Sequence, residues 1–279
     1  MILVKKILQL QEHIRFFRNA QKQIGFVPTM GALHEGHITL IEKAKQENDC
    51  CVCSIFINPT QFNNPNDLLL YPVTLESDID QCEKAGCDIL FLPAVPEMYP
   101  PGEIPVHYEL GYLETILEGE YRPGHFQGVC MIVDKLLAAV TPDTLYLGRK
   151  DYQQCMVIKK MMVERNYSTA LQICETVREP DGLAMSSRNR RLNPKDRETA
   201  AKISACLLMM KEQFPGGNLQ EIKKRATIFL ENYGYTVDYT EIADAETLSV
   251  LSGVNENRKA VALVAAYLNG IRLIDNMLL

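Results

Sequence analysis

The 279-residue chain has no apolar run long enough to span a membrane. It also lacks an excess of positive charge. Lys and Arg total 29 against 35 Asp and Glu, a formal net charge of −6. That balance argues against general nucleic-acid binding and leaves only a local basic patch as a route to it. Neither a GxxxxGK[ST] phosphate loop nor a GxGxxG dinucleotide turn occurs, so two common nucleotide-binding signatures are excluded. The start does not read as a secretory leader. Ile2-Leu3-Val4 is a short apolar stretch, and Lys5, Lys6, Glu12 and Arg15 follow closely. A cytoplasmic protein is the expectation, with no membrane and no nucleic-acid partner. Internal repeats and low-complexity segments are absent as well.

A second CxxC or His–Cys set is missing too, although there are nine cysteines. Cys50, Cys51 and Cys53 lie in the apolar run CCVCSIFI, with Cys51 and Cys53 on one strand face and Cys50 on the other. Buried reduced thiols account for this pattern better than a metal site does. What is present is the composition of a globular protein: 47% hydrophobic and 23% charged residues, enough chain for one large domain or two smaller ones.

The most informative stretch is 24–41, IGFVPTMGALHEGHITLI. A short apolar run, Ile24-Gly25-Phe26-Val27, reads as a buried strand. Pro28, Gly31 and Gly36 punctuate a turn. Ile38, Leu40 and Ile41 then begin a helical pattern. At the crest sit His34 and His37, three apart and so on one face of the first helical turn. A helix start exposes unpaired N–H groups and a partial positive charge, which favour phosphate. Two imidazoles there can donate to a phosphate chain as charge builds in a transition state. The same spacing also fits two ordinary surface histidines on a capped helix.

A helical stripe at 7, 10, 14 and 17 precedes this unit, and a second buried strand at 50–57 follows it. Two strands with a helix between them form a βαβ unit, hence a parallel sheet with a right-handed crossover. Further strands are expected at 88–92, 143–147 and 171–177, with a helix from Thr74 to Gly86 and another at 129–140. Ligands bind beyond the carboxyl ends of such strands, and polar loops follow several of them. The second strand runs into Asn58-Pro59-Thr60-Gln61-Phe62, where Gln61 can donate and accept without adding charge. The fourth runs into Gly148-Arg149-Lys150-Asp151, with Gln154 one turn into the next helix. The fifth runs into a cation-rich loop at 178–191. Each could equally be solvated polar sequence. Asn193 and Pro194 then open a helix, a second helix covers 219–232, and strands follow at 236–242, 260–268 and 271–277, an α+β pattern.

Pro28-Thr29-Met30-Gly31-Ala32-Leu33-His34-Glu35-Gly36-His37 resembles the HxGH signature of nucleotidylyl transferases related to class I aminoacyl-tRNA synthetases. More narrowly, the chain resembles the pantoate–β-alanine ligases. Their INPxQF loop, RPGHFxGV segment, GxKD set and VREPDGLAMSSRN loop all recur in order, as do Val237-Asp238-Tyr239 and Leu273-Ile274-Asp275-Asn276 near the end. The resemblance implies an α/β fold: a Rossmann-like parallel sheet with helices on both faces, over residues 1–177, binding ATP and pantoate. A smaller C-terminal α+β domain, 178–279, would act as a lid. It implies ATP-dependent condensation of pantoate with β-alanine through a bound pantoyl-adenylate, with Mg2+ accompanying ATP, in a homodimer.

Carried over by the same resemblance, His34 and His37 are catalytic. Met30, Gly31, Ala32, Leu33, Glu35 and Gly36 join them in contacting ATP, together with Gly148, Arg149, Lys150, Asp151, Val177, Met185, Ser186, Ser187 and Arg188. Gln61, Gln154 and Arg122 bind the small substrates, and Asp78 with Gln81, three apart, hold magnesium. Val73 and Arg149 depart from the family pattern, which carries Arg and an acid or amide there. Two rivals remain: a nucleotidylyl transferase acting on a small phosphorylated substrate, and a nucleotide-binding regulatory module without turnover.

Overall fold

In the computed structural model, residues 1–253 and 258–279 are described. The chain divides into two compact units: Met1–Gly148 with Val157–Cys174, and Arg149–Met156 with Glu175–Leu279. A single cut near residue 177 therefore misses one feature, because the short segment after Gly148 groups with the later unit.

The first unit is a six-stranded parallel sheet flanked by helices. Its strands are β1 (Ile2–Val4), β2 (Ile24–Thr29), β3 (Cys50–Ile55), β4 (Ile89–Phe91), β5 (Thr144–Gly148) and β6 (Ala170–Cys174), in the order β1-β4-β3-β2-β5-β6. The order reverses at β2, whose neighbours are β3 and β5. In an open α/β sheet that is where a crevice forms beyond the strands' carboxyl ends. β2 and β3 pair in parallel from Ile24↔Cys50 to Thr29↔Ile55. Both are buried almost throughout, as expected of strands covered on two faces.

The core beneath the His-bearing turn combines Val27, Leu33, Ile41 and Ala44 with Cys51, Cys53, Cys82 and Cys87. All nine cysteines are buried, and none forms a disulfide among the described residues. Burial pushes the Cys50 thiol up to about 12, so it behaves as a small apolar side chain. β1 was not expected. Three residues carry no usable periodicity, and the strand exists by pairing Ile2, Leu3 and Val4 with Ile89, Leu90 and Phe91.

The second unit holds an antiparallel sheet, β7 (Thr236–Asp244), β8 (Ala260–Leu268) and β9 (Ile271–Leu278), in that order. The helices Lys202–Gln213 and Leu219–Asn232 pack on it through Ile203, Leu207, Met210, Ile222, Ala226 and Leu230. Asn218 opens the second helix by accepting the backbone N–H groups of Gln220 and Glu221. The stripe expected as one helix from Asn193 is two, Pro194–Ala200 and Lys202–Gln213. At the break the Tyr235 hydroxyl donates to the Thr199 carbonyl at 2.9 Å. Among the described residues, no helix is long and apolar enough to cross a membrane.

Candidate active site

The turn after β2 is built by residues far from it in sequence. Thr29 Oγ1 donates to the Ser54 carbonyl at 2.8 Å and accepts the Gly31 N–H at 3.2 Å. Gly31 (φ +80°) and Ala32 (φ +49°) then reverse the chain in left-handed conformations. A Cβ at Gly31 would lie 3.0 Å from both Asp78 Oδ2 and Ile55 Cγ2, so glycine suits both the dihedral and the space. Leu33 drops into the core with no exposure. His34 becomes the N-cap of the helix Glu35–Glu47, in extended backbone geometry.

His37 lies in that helix's first turn. Its ring stands 4.0 Å from the His34 ring, centroid to centroid, at 38°. His37 Nδ1 accepts the backbone N–H of His34 at 3.3 Å. A neutral imidazole that accepts through Nδ1 carries its proton on Nε2, so any hydrogen bond it donates is made through Nε2–H. Both rings are half-buried. The arrangement provides a helix amino end and imidazole donors in one place, the chemistry of a phosphate site.

Gln61 ends a short 3-10 turn, Pro59–Gln61, after β3. Asn58, only 1% exposed, fixes it. Asn58 Oδ1 accepts from Tyr99 Oη at 2.7 Å and Thr60 Oγ1 at 3.1 Å, while its Nδ2 donates to Gln61 Oε1 and the Gly128 carbonyl, both at 3.1 Å. With Oε1 engaged, the Gln61 amide presents its NH2 end, which lies 3.1 Å from Met30 Sδ. Met30 immediately precedes the His-bearing turn, so the acid-binding candidate and the phosphate-binding candidate adjoin within one unit.

His125 supports this loop. It is buried, and its Nδ1 lies 2.7 Å from the Gln61 carbonyl oxygen. Gly128 lets the helix His125–Val140 approach the loop closely: a Cβ there would meet Thr60 O at 2.3 Å. The Arg122 guanidinium is 3.5 Å from the Glu118 carboxylate. Sequence reading missed Asn58 as an organiser of the site. The Asn-Pro step before Gln61 was its only local signal.

Asp78 and Gln81 do not converge. Asp78 Oδ2 accepts the Ala32 N–H, and Oδ1 accepts the Leu33 N–H and Thr74 Oγ1, at 2.9 to 3.0 Å. The carboxylate is 1% exposed. Gln81 Nε2 turns back to the Ser77 carbonyl and hydroxyl. Thr74, at the start of the helix carrying Asp78 and Gln81, makes no side-chain cap there; its hydroxyl donates to Asp78. Magnesium takes oxygen ligands with open lone pairs in octahedral array, and a carboxylate already holding three donors does not fit that role. Among the described residues, no group of three or more His, Cys, Asp or Glu side chains could hold a metal ion.

In the second unit, Arg149–Asp151 forms a 3-10 turn; the helix Tyr152–Glu164 follows it in sequence, its residues 152–156 belonging to this unit and the rest to the first. Arg149 Nη1 lies 3.5 Å from the Glu175 carboxylate, and Lys150 Nζ 3.5 Å from that of Asp151. Gln154 is half-buried in the first helical turn. Residues 177–185 form a tight hairpin, with Met185 N–H donating to Val177 O at 3.0 Å and Gly182 at φ +90°. Ser186 caps the short 3-10 helix Ser187–Arg191 by accepting the Arg188 N–H. Lys150, Ser186, Arg188 and Arg272 line one small cavity of this unit. Gly148 itself closes β5 in the first unit.

Comparison with known proteins matches this geometry to one family. A family model described as pantoate-beta-alanine ligase covers residues 2–278. A pantothenate synthetase from Cytophaga hutchinsonii is 42% identical over 100% of this chain and 99% of its own length, and one from Leptospira biflexa is 44% identical with the same coverage. The crystal structure of pantothenate synthetase from Thermus thermophilus superposes with a TM-score of 0.90 at 40% identity, covering 99% of each chain. A pantoate-beta-alanine ligase from Francisella tularensis, crystallised with β-γ ATP and β-alanine, gives 0.82 at 40% identity, over 100% of this chain and 97% of that one. With the family model and relatives of over 40% identity both spanning essentially its whole length, this chain belongs to the pantoate-beta-alanine ligase family.

Proposed function

We propose that this chain activates pantoate with ATP and passes the pantoyl group to the amine of β-alanine. In the first step a pantoate carboxylate oxygen attacks the α-phosphorus, forming the acyl-adenylate as pyrophosphate leaves. In the second, the β-alanine amine attacks the acyl carbon, giving pantothenate as AMP leaves. A carboxylate is already a nucleophile, so the protein's task is positioning and charge stabilisation.

The observation that carries this reading is the adjacency of Gln61 to Met30. It sets an uncharged grip for a small acid beside the turn that suits phosphate. His37 Nε2–H and His34 serve the developing charge at phosphorus. Lys150, Ser186, Ser187 and Arg188 serve the remaining phosphates, Gln154 the acid, and Arg122 a substrate carboxylate. The segment 178–191 keeps water from the mixed anhydride until the amine arrives. Magnesium comes as the counter-ion of the nucleotide rather than as an ion held by Asp78 and Gln81. The working state is a cytoplasmic homodimer. A nucleotidylyl transferase reading is the weaker one, because it calls for extra cations where this site offers an amide.

Rapid-quench kinetics test the proposal. With ATP, magnesium and pantoate, pyrophosphate is expected in a burst of about one per site, with little AMP. Adding β-alanine is expected to release AMP and pantothenate together. A pyrophosphate signal indifferent to pantoate would overturn the ligase reading.

A further inference from the structure

The closing motif Leu273-Ile274-Asp275-Asn276 has no part in the chemistry above, yet Asp275 and Asn276 are each only 3% exposed. Consecutive residues of a strand face opposite sides, and on β9 these two reach different partners. The Asp275 carboxylate takes the Arg178 guanidinium bidentately across its two Nη groups, Oδ2 to Nη1 at 2.6 Å and Oδ1 to Nη2 at 3.1 Å. Arg178 also donates to the carbonyls of Gly182 at 3.0 Å and Asn276 at 3.2 Å. These bonds clamp the hairpin in which Arg178 pairs antiparallel with Ala184, directly ahead of Ser186 and Arg188.

Asn276 turns the other way. Its Nδ2 donates to the carbonyls of Arg149 at 3.0 Å and Lys150 at 2.8 Å. Only the NH2 end of an amide can face two carbonyls, so its orientation is determined. The Oδ1 end is buried without a hydrogen-bond partner among the described residues. An orphaned acceptor lowers stability, so this asparagine is not explained by stability alone. With the Tyr152 hydroxyl bonded to Ala245 O at 2.6 Å, it accounts for residues 149–156 grouping with the C-terminal unit. Lys150, Arg188 and Asp275 line one cavity there.

We propose that Asp275 and Asn276 are positioning residues of the ligase reaction: from one strand they lock the Lys150 turn and the Arg178–Ala184 hairpin together, holding Lys150 and Arg188 at a set separation. The inference rests on the reading of Lys150 and Arg188 as phosphate contacts. Neither Asp275 nor Asn276 need touch the nucleotide, since Asn276 acts through Lys150 and Asp275 through the hairpin that leads to Arg188.

A double-mutant cycle on pantoyl-adenylate formation in single turnovers tests it. Asn276→Ala is expected to slow the step about tenfold while ATP affinity stays within about threefold, the mark of misplaced rather than missing groups. In a Lys150→Ala background the same substitution is expected to cost less than about twofold, because the group it positions is gone. Asp275→Asn and Arg188→Ala form the parallel cycle. Two losses that simply multiply would overturn the inference and leave Lys150 as a phosphate contact. A Lys150→Ala enzyme of near wild-type rate would remove the phosphate reading and the inference with it. If Asn276→Ala does not fold, the wild-type side-chain amide decides: its two protons are expected to exchange slowly with solvent, and fast exchange overturns the inference.

Discussion

The Asp78 carboxylate accepts the backbone N–H of Leu33 at 2.9 Å and, through its other oxygen, that of Ala32 at the same distance. One buried side chain thereby closes the turn that presents His34 and His37. An asparagine cannot accept on both sides, so Asp78→Asn would face an N–H donor with another donor. We expect unfolding free energy to fall by about 2 kcal/mol and kcat to fall with it. Raising magnesium about tenfold above saturation should not restore the rate, as it would if Asp78 were an oxygen ligand of the ion. Recovery with magnesium would return Asp78 to the metal.

His37 is half-buried in the first turn of its helix, against the His34 ring and outside the apolar core, so its role is separable from folding. His37→Ala is expected to lose about 2–4 kcal/mol of transition-state stabilisation, a fall in kcat of roughly 30- to 1,000-fold. The thermal midpoint should be nearly unchanged. A variant with wild-type kcat would take His37 out of the mechanism.

The Gln61 loop gives a prediction about packing as well as chemistry. A Cβ at Gly128 would meet Thr60 O, Thr60 C and Gln61 N at 2.3, 2.6 and 2.8 Å, all backbone atoms that cannot swing away. Gly128→Ala should therefore push the loop and lower stability by about 1–3 kcal/mol. By calorimetric titration it should also weaken pantoate binding, as should Gln61→Ala and Gln154→Ala, the latter two by about tenfold. ATP binding should change little in all three. Equal losses for both ligands would show that the glutamines are misassigned.

Acid stability has a local origin at Asp244. Its carboxylate accepts the N–H groups of Thr247 and Glu246 at 2.9 Å and Thr247 Oγ1 at 3.0 Å. The Thr247 N–H above all holds its carboxyl below the usual carboxylate range, against the opposing effect of burial. A folded value below the unfolded one, about 3.9, means that the stabilisation is full above that pH. It disappears as pH falls through the folded value. Asp244→Asn is thus expected to cost about 1–2 kcal/mol near neutrality, and the gap from wild type should close on acidification below about pH 4. Urea titrations of both proteins across that range measure it, and a gap that widens in acid overturns the assignment.

Much of this protein was legible in the sequence because the signals are local. The strand, turn and helix around His34 and His37 follow from an apolar run, glycines at the crest and a 3.6-residue stripe. The helix Leu219–Asn232 and the strand Ala260–Leu268 fall where the sequence reading put them. The motif residues Gln61, Lys150 and Arg188 could be singled out for the same reason, each lying just beyond a strand or in a polar loop.

What the tertiary structure decided depends on partners distant along the chain. β1 exists only through β4, some 87 positions away at Ile2↔Ile89. In sequence Asp78 is one more acid in a helix's first turn, where metal binding and solvation look alike. Folding aims it at N–H groups 45 and 46 residues back, which makes it the support of the turn. The Lys150 segment lies between β5 and β6 of the parallel sheet in sequence, yet it joins the C-terminal unit because Asn276, 126 residues on, holds its carbonyl. Periodicity and capping act within a turn or two, whereas these hydrogen bonds depend on the path of the whole chain.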